Sequence, residues 1–165
     1  MTWPAFPWIT IARAYLGVAE IPGAQTSSVI AVWLKKLKAW WSDDETPWCG
    51  TFVAYCLSEA GFVVPKQWMR ALAWAEWGRP LLLPRVGAVV VFSRTGGGHV
   101  GFVVGITADG LLMVLGGNQA NKVSIAPFDP ARVVSYRWPN EAPLIGLGDL
   151  PVLARNGKSV STNEA

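Results

Sequence analysis

Apolar residues recur at helical spacing through the N-terminal part of the chain and then change to strand-like runs. Ile9, Ile11, Ala12, Tyr15 and Leu16 predict a short first helix from about Trp8 to Gly17. A turn at Glu20-Ile21-Pro22-Gly23 separates it from a second helix, capped by Ser27 or Ser28, whose buried stripe is Ile30, Trp33, Leu34 and Leu37. Lys35, Lys36 and Lys38 form its solvated face. A third helix follows the acidic run Asp43, Asp44 and Glu45. Thr46 suits its N-cap and Pro47 its first position, which puts Cys49 near the third, and Gly61 is the stop. Phe52, Val53, Cys56 and Leu57 continue its core-facing spacing. A fourth, short helix is predicted over about Met69 to Trp77.

Beyond Gly78-Arg79-Pro80, read as a connection, the runs 87–92, 99–106, 111–115, 122–125 and 133–138 are β-rich and separated by glycine or asparagine turns. Asp109-Gly110 is a strong hairpin signal. Helices first and sequential strands second predict an α+β fold, with N-terminal helices packed on a C-terminal antiparallel sheet of about five strands. Residues 1–140 read as one catalytic domain. Residues 141–165 read as a C-terminal extension, partly flexible, with a polar tail from Asn156.

Composition narrows the class. With 165 residues, 52% hydrophobic and 15% charged, the chain is long and apolar enough to bury a core. No run reaches the length of a membrane span, and the start lacks the pattern of a secretion signal, so the expectation is a protein made in the cytoplasm without membrane insertion. A net charge of +3 with scattered basic residues gives no nucleic-acid footprint. Cys49 and Cys56, two helical turns or about 10 Å apart, are too distant for a disulfide. One histidine and two such cysteines make no metal set, and no cofactor is expected. Ten tryptophans are unusual; most belong in the core, while an exposed few would stack on sugar rings or bases.

Cys49 is the residue that matters most. At the start of a helix, free backbone N–H groups and the dipole favour a thiolate, so a lowered thiol pKa is expected. A nucleophilic cysteine needs a base, and His99, opening a strand after Gly96-Gly97-Gly98, is the one histidine. The next strand returns through Asp109-Gly110, so Gly116-Gly117-Asn118-Gln119 comes back beside His99. Asn118 is the expected acceptor on its second ring nitrogen.

T-P-W-C-G-T-F-V, G-H-V-G-F-V-V-G, V-L-G-G-N-Q and Y-R-W-P, in that order, resemble the cell-wall hydrolases of the CHAP and NlpC/P60 type, and more narrowly an endolysin-like phage and bacterial group. The resemblance covers about Trp8 to Pro139. It implies a papain-like fold and a catalytic triad of Cys49, His99 and Asn118 that cleaves an amide in bacterial peptidoglycan. Many CHAP domains carry a glutamate two residues before that asparagine, where this chain has Gly116, so Asn118 or Gln119 must orient the base. Trp48, Asp44, Glu45, Gln119 and Gly98 are the expected substrate-binding residues, with Glu20 a further carboxylate. The enzyme is expected to act as a monomer on the wall after release by a holin or another route. Two other readings stay open at this point: a non-catalytic glycan-binding module of the same fold, and a cysteine protease or deamidase toxin acting on proteins. Neither the bond cut nor a second oxyanion donor is readable.

Overall fold

The computed structural model describes residues 6–21, 27–43, 47–145 and 149–158. Helices α1 (Pro7–Ala14), α2 (Ser28–Lys36) and α3 (Cys49–Glu59) precede a six-stranded antiparallel sheet. Its strands are β1 (Arg79–Leu81), β2 (Val89–Arg94), β3 (Gly97–Ile106), β4 (Leu112–Gln119), β5 (Lys122–Phe128) and β6 (Val133–Trp138), in the spatial order β1-β6-β2-β3-β4-β5. The α+β class and the helices-then-sheet order are as the hydrophobic pattern predicts. The sixth strand is β1, where Pro80 stood for a connection. It pairs only with β6, and an edge strand tolerates a residue without an N–H.

α3 lies at the centre, packed on β3 and β4 on one side and on α1 and α2 on the other. Every residue from Cys49 to Leu57 is buried, so the one-sided stripe expected of it is replaced by burial all round. Cys56 is fully inside the core. Trp33 of α2 is the aromatic hub behind it, with its ring centroid 5.5 Å from Phe52, 5.7 Å from Tyr55 and 6.0 Å from Trp48. Ser27 caps α2 by accepting from the Ile30 N–H. On the other flank the Trp8 indole N–H donates to the Gly87 carbonyl at 2.8 Å and stitches α1 to the start of β2.

The short helix expected over about Met69 to Trp77 is a 3₁₀ helix, Ala71–Glu76. The segment is too short to build an α ladder, and the Trp74 indole N–H ties it instead to the Trp68 carbonyl at 3.0 Å. Near the C-terminus, Pro151 and Leu153 exchange backbone hydrogen bonds with Ile106, and the Leu153 side chain is buried. That part of the segment after Asn140 is docked on the end of β3. Residues 159–165 of the polar tail lie outside the described residues, as do Pro22, Gly23 and the Asp44, Glu45 and Thr46 run.

Candidate active site

Cys49 is the first residue of α3, not the third, with Trp48 as the N-cap. Trp48 holds a non-helical φ of −122°, while its carbonyl already accepts from the Phe52 N–H at 3.0 Å. The Trp48 side chain makes no cap hydrogen bond at this end. The backbone N–H groups of Gly50 and Cys49 in α3 and of Val100 in β3 are directed at the Cys49 sulfur. The Val100 contact fixes the partner element: the thiol sits against β3 at the residue that follows His99.

The expected thiolate is not the resting form. Burial pushes the Cys49 thiol above its ordinary value, and the three N–H groups and Arg94 only partly offset that rise. Helix-start polarity was the correct local feature, but the site is closed enough that desolvation of the charged form wins. Burial likewise lowers the His99 pKa; its hydrogen bond to Gln119 opposes this, and Arg94 and Arg132 reinforce it. The cause of the desolvation is visible in the packing. The imidazole lies nearly parallel to Phe128 at 5.1 Å and to Phe92 at 6.3 Å. Burial thus favours the neutral form of each of the two groups.

Of the two candidates, Asn118 and Gln119, it is Gln119 whose side chain meets His99. Gln119 Oε1 lies 2.9 Å from His99 Nε2. In a regular strand residues 116 and 118 share a face, which is the histidine side, but Asn118 adopts φ +57° and the pairing of β4 with β5 slips between Gly116 and Gln119. That extra residue delivers Gln119 to the face on which Asn118 was expected. Gly116 supplies the room, because a Cβ there would overlap Gln119 Oε1 and fall 3.4 Å from His99 Nε2.

The Gln119 amide nitrogen donates to the carbonyls of Val114 at 3.1 Å and Ser124 at 2.9 Å and to Ser124 Oγ at 3.2 Å. These partners assign the amide oxygen to the histidine, so Nε2 is the donor and Nδ1 keeps the lone pair. Gln119→Leu is expected to leave a folded protein with kcat lower by about 10²-fold or more, since the acceptor that selects this tautomer is gone. Gly116→Ala should act in the same direction by displacing the amide. Histidine ¹⁵N shifts, read beside kcat, check that the tautomer changed; a wild-type tautomer in both variants would refute this role.

A hollow of about 420 Å³ opens at Cys49, lined by Pro47, Gln67, Met69, Arg70, Leu72, Arg94 and Gly98 among others. Gly98 therefore does line the cleft, although as part of β3 and not of an open loop. Trp48 does not. It is buried, its indole N–H donates to Glu20 at 3.1 Å, and Gly117 of β4 packs closely over its ring. Gln119 is also buried and meets the histidine in place of substrate. Asp44 and Glu45 lie outside the described residues, and the described lining carries two arginines and no carboxylate. Arg94 escaped the sequence reading, although its place at the end of the strand paired with β3 is legible from the hairpin. Nothing in the sequence announces Phe128.

Comparison with known families places this geometry. Residues 41–118 match the CHAP domain. The match, just under half of the chain, contains Cys49 and His99 and stops one residue before Gln119. CHAP domains are typically cysteine hydrolases or amidases, and the match points to peptidoglycan hydrolase or amidase-type activity. The helices and antiparallel sheet accord with a CHAP-type α+β fold. None of the curated proteins compared matches the chain. Among the described residues no helix is long and apolar enough to cross a membrane.

Proposed function

We propose that the protein is a peptidoglycan hydrolase that cleaves an amide through Cys49, His99 and Gln119, with residues 1–140 as the catalytic domain. The observation that carries this reading is the Cys49 sulfur set against the N–H of Val100, the residue after His99, whose Nε2 lies 2.9 Å from Gln119 Oε1. His99 Nδ1 takes the thiol proton as Sγ attacks the carbonyl carbon, so ionisation accompanies attack. The Cys49 N–H at the open helix end supports the oxyanion. The C–N bond then breaks, the amine leaves with the proton from His99, and water hydrolyses the thioester to a carboxylic acid and free thiol. Arg70 and Arg94 suit a substrate that carries carboxylates, as stem peptides do. An endolysin role, with action on the wall after release, accords with this chemistry. Digestion of purified sacculi tests the proposal: new amine and carboxyl ends in the soluble products, seen by mass spectrometry, are expected. A protein that cuts casein but releases nothing from sacculi would refute it in favour of a protease.

Arg94 faces both His99 and Cys49, and its charge lowers both pKa values. Because the base must be neutral, the acid limb of kcat/KM should lie below 6.5, the ordinary histidine value. Arg94→Gln is expected to move that limb to higher pH. An unmoved limb in the pH profile would show that His99 is not the titrating base. Stability follows the same sign. His99 binds its proton less readily when folded, so its contribution is complete above 6.5 and is lost as pH falls through the lower folded value.

A further inference from the structure

Beside the catalytic hollow lies a second of about 410 Å³, lined by Trp40, Trp41, Asp43, Pro47 and Met69. Pro47 and Met69 line both, so the two are neighbours. Trp40 is 92% exposed and contributes almost nothing to the core. Its ring is nonetheless held, edge-on to Trp41 at 5.3 Å, and Trp41 stacks at 5.7 Å on the buried Trp68. An exposed aromatic ring stacked onto the core and next to the catalytic hollow is a candidate binding surface.

The chemistry of the lining selects the occupant. A flat indole covers the C–H face of a pyranose ring, while the Asp43 carboxylate offers an acceptor for a sugar hydroxyl or acetamido N–H. A lipid surface would be met by a broader apolar patch without a carboxylate. We propose that Trp40, Trp41 and Asp43 form a subsite for one sugar ring of the glycan strand, a proposal that rests on the peptidoglycan reading above. The proposal includes a register: with Pro47 and Met69 shared between the hollows, a sugar here presents to the sulfur the first amide beyond the ring, between the lactyl acyl carbon and the first stem residue. The carboxylated peptide then occupies the hollow lined by Arg70 and Arg94. Sγ bonds to the lactyl acyl carbon, the C–N bond to the peptide breaks, and water releases a lactyl carboxylate and a peptide with a free amino terminus.

The subsite is tested in a Cys49→Ala protein with two probes, the peptide-free disaccharide of N-acetylglucosamine and N-acetylmuramic acid, and a free stem tripeptide. Adding Trp40→Ala should weaken disaccharide binding about tenfold and leave tripeptide binding unchanged, with Trp40→Tyr intermediate. In active enzyme the same change should raise KM for disaccharide-peptide about tenfold with kcat nearly constant. Mass spectrometry should show peptide-free disaccharide as a product. Unchanged disaccharide affinity, an equal loss for both probes, or a loss seen only with anionic lipid vesicles would overturn the subsite. Cleavage within the stem would overturn its register. If active enzyme releases nothing from sacculi, the functional reading fails by itself, and the disaccharide measurement still decides the subsite.

Discussion

Cys49→Ala is expected to leave a folded protein that clears peptidoglycan at a rate lower by about 10⁴-fold or more. Among the described residues that line the cleft, Cys49 carries the only thiol or hydroxyl, and Cys56 is sealed in the core with its thiol pushed well up by burial. The side chain lost is small, and the backbone N–H groups that face the sulfur belong to α3 and β3 regardless. Stability should therefore change by only about 1 kcal/mol. Release of dye from labelled sacculi, read with a thermal melt, separates the two effects. A folded variant that retained wild-type lysis would end the nucleophile assignment.

Gly50→Ala, one residue further along, should act through packing. A Cβ at this position would overlap the Trp68 carbonyl oxygen and fall 3.1 Å from the Met69 carbonyl carbon and oxygen. Helix propensity favours alanine by up to about 1 kcal/mol. Forcing the 68–69 backbone away costs about 3 kcal/mol, because it is a main-chain clash that no rotamer relieves. The clash wins, and Tm should fall by roughly 6 °C. Activity should fall as well, since Met69, Arg70 and Leu72 on the displaced segment form one wall of the cleft. A melt and a KM measurement check both; a variant as stable as wild type would show that this wall is not clamped to the helix.

Much of this was legible in the chain. The helical spacing around Trp33, the turn at Asp109-Gly110 and the separate stretches holding Cys49 and His99 together imply a helix start facing a strand start, and the backbone places them so. What was not legible depended on one residue of phase and on burial. Strand alternation gives Asn118 to the histidine face, and only the left-handed turn at Asn118 itself hands that place to Gln119. A helix-start thiol reads as acidic until its burial is seen, and His99, stacked on Phe92 and Phe128, is likewise stripped of water. Trp48 adjoins the nucleophile in sequence, yet Gly117 and Glu20 hold it beneath the cleft, while Trp40, eight residues earlier, is left on the surface.

The neutral resting thiol also governs how the protein meets oxidants. Peroxides and disulfides react with thiolate, so a cysteine whose ionisation is suppressed by burial is a poor reductant at neutral pH. Sulfenic acid formation at Cys49 is thereby slow in the idle enzyme, and the distance to Cys56 denies any internal disulfide as a sink. Under the proposed mechanism attack on a seated carbonyl needs no standing thiolate, because His99 removes the proton as the bond forms. Occupancy of the cleft is then expected to set chemical selectivity, and slow oxidation of the idle thiol is the expected companion of the packing that raises its pKa.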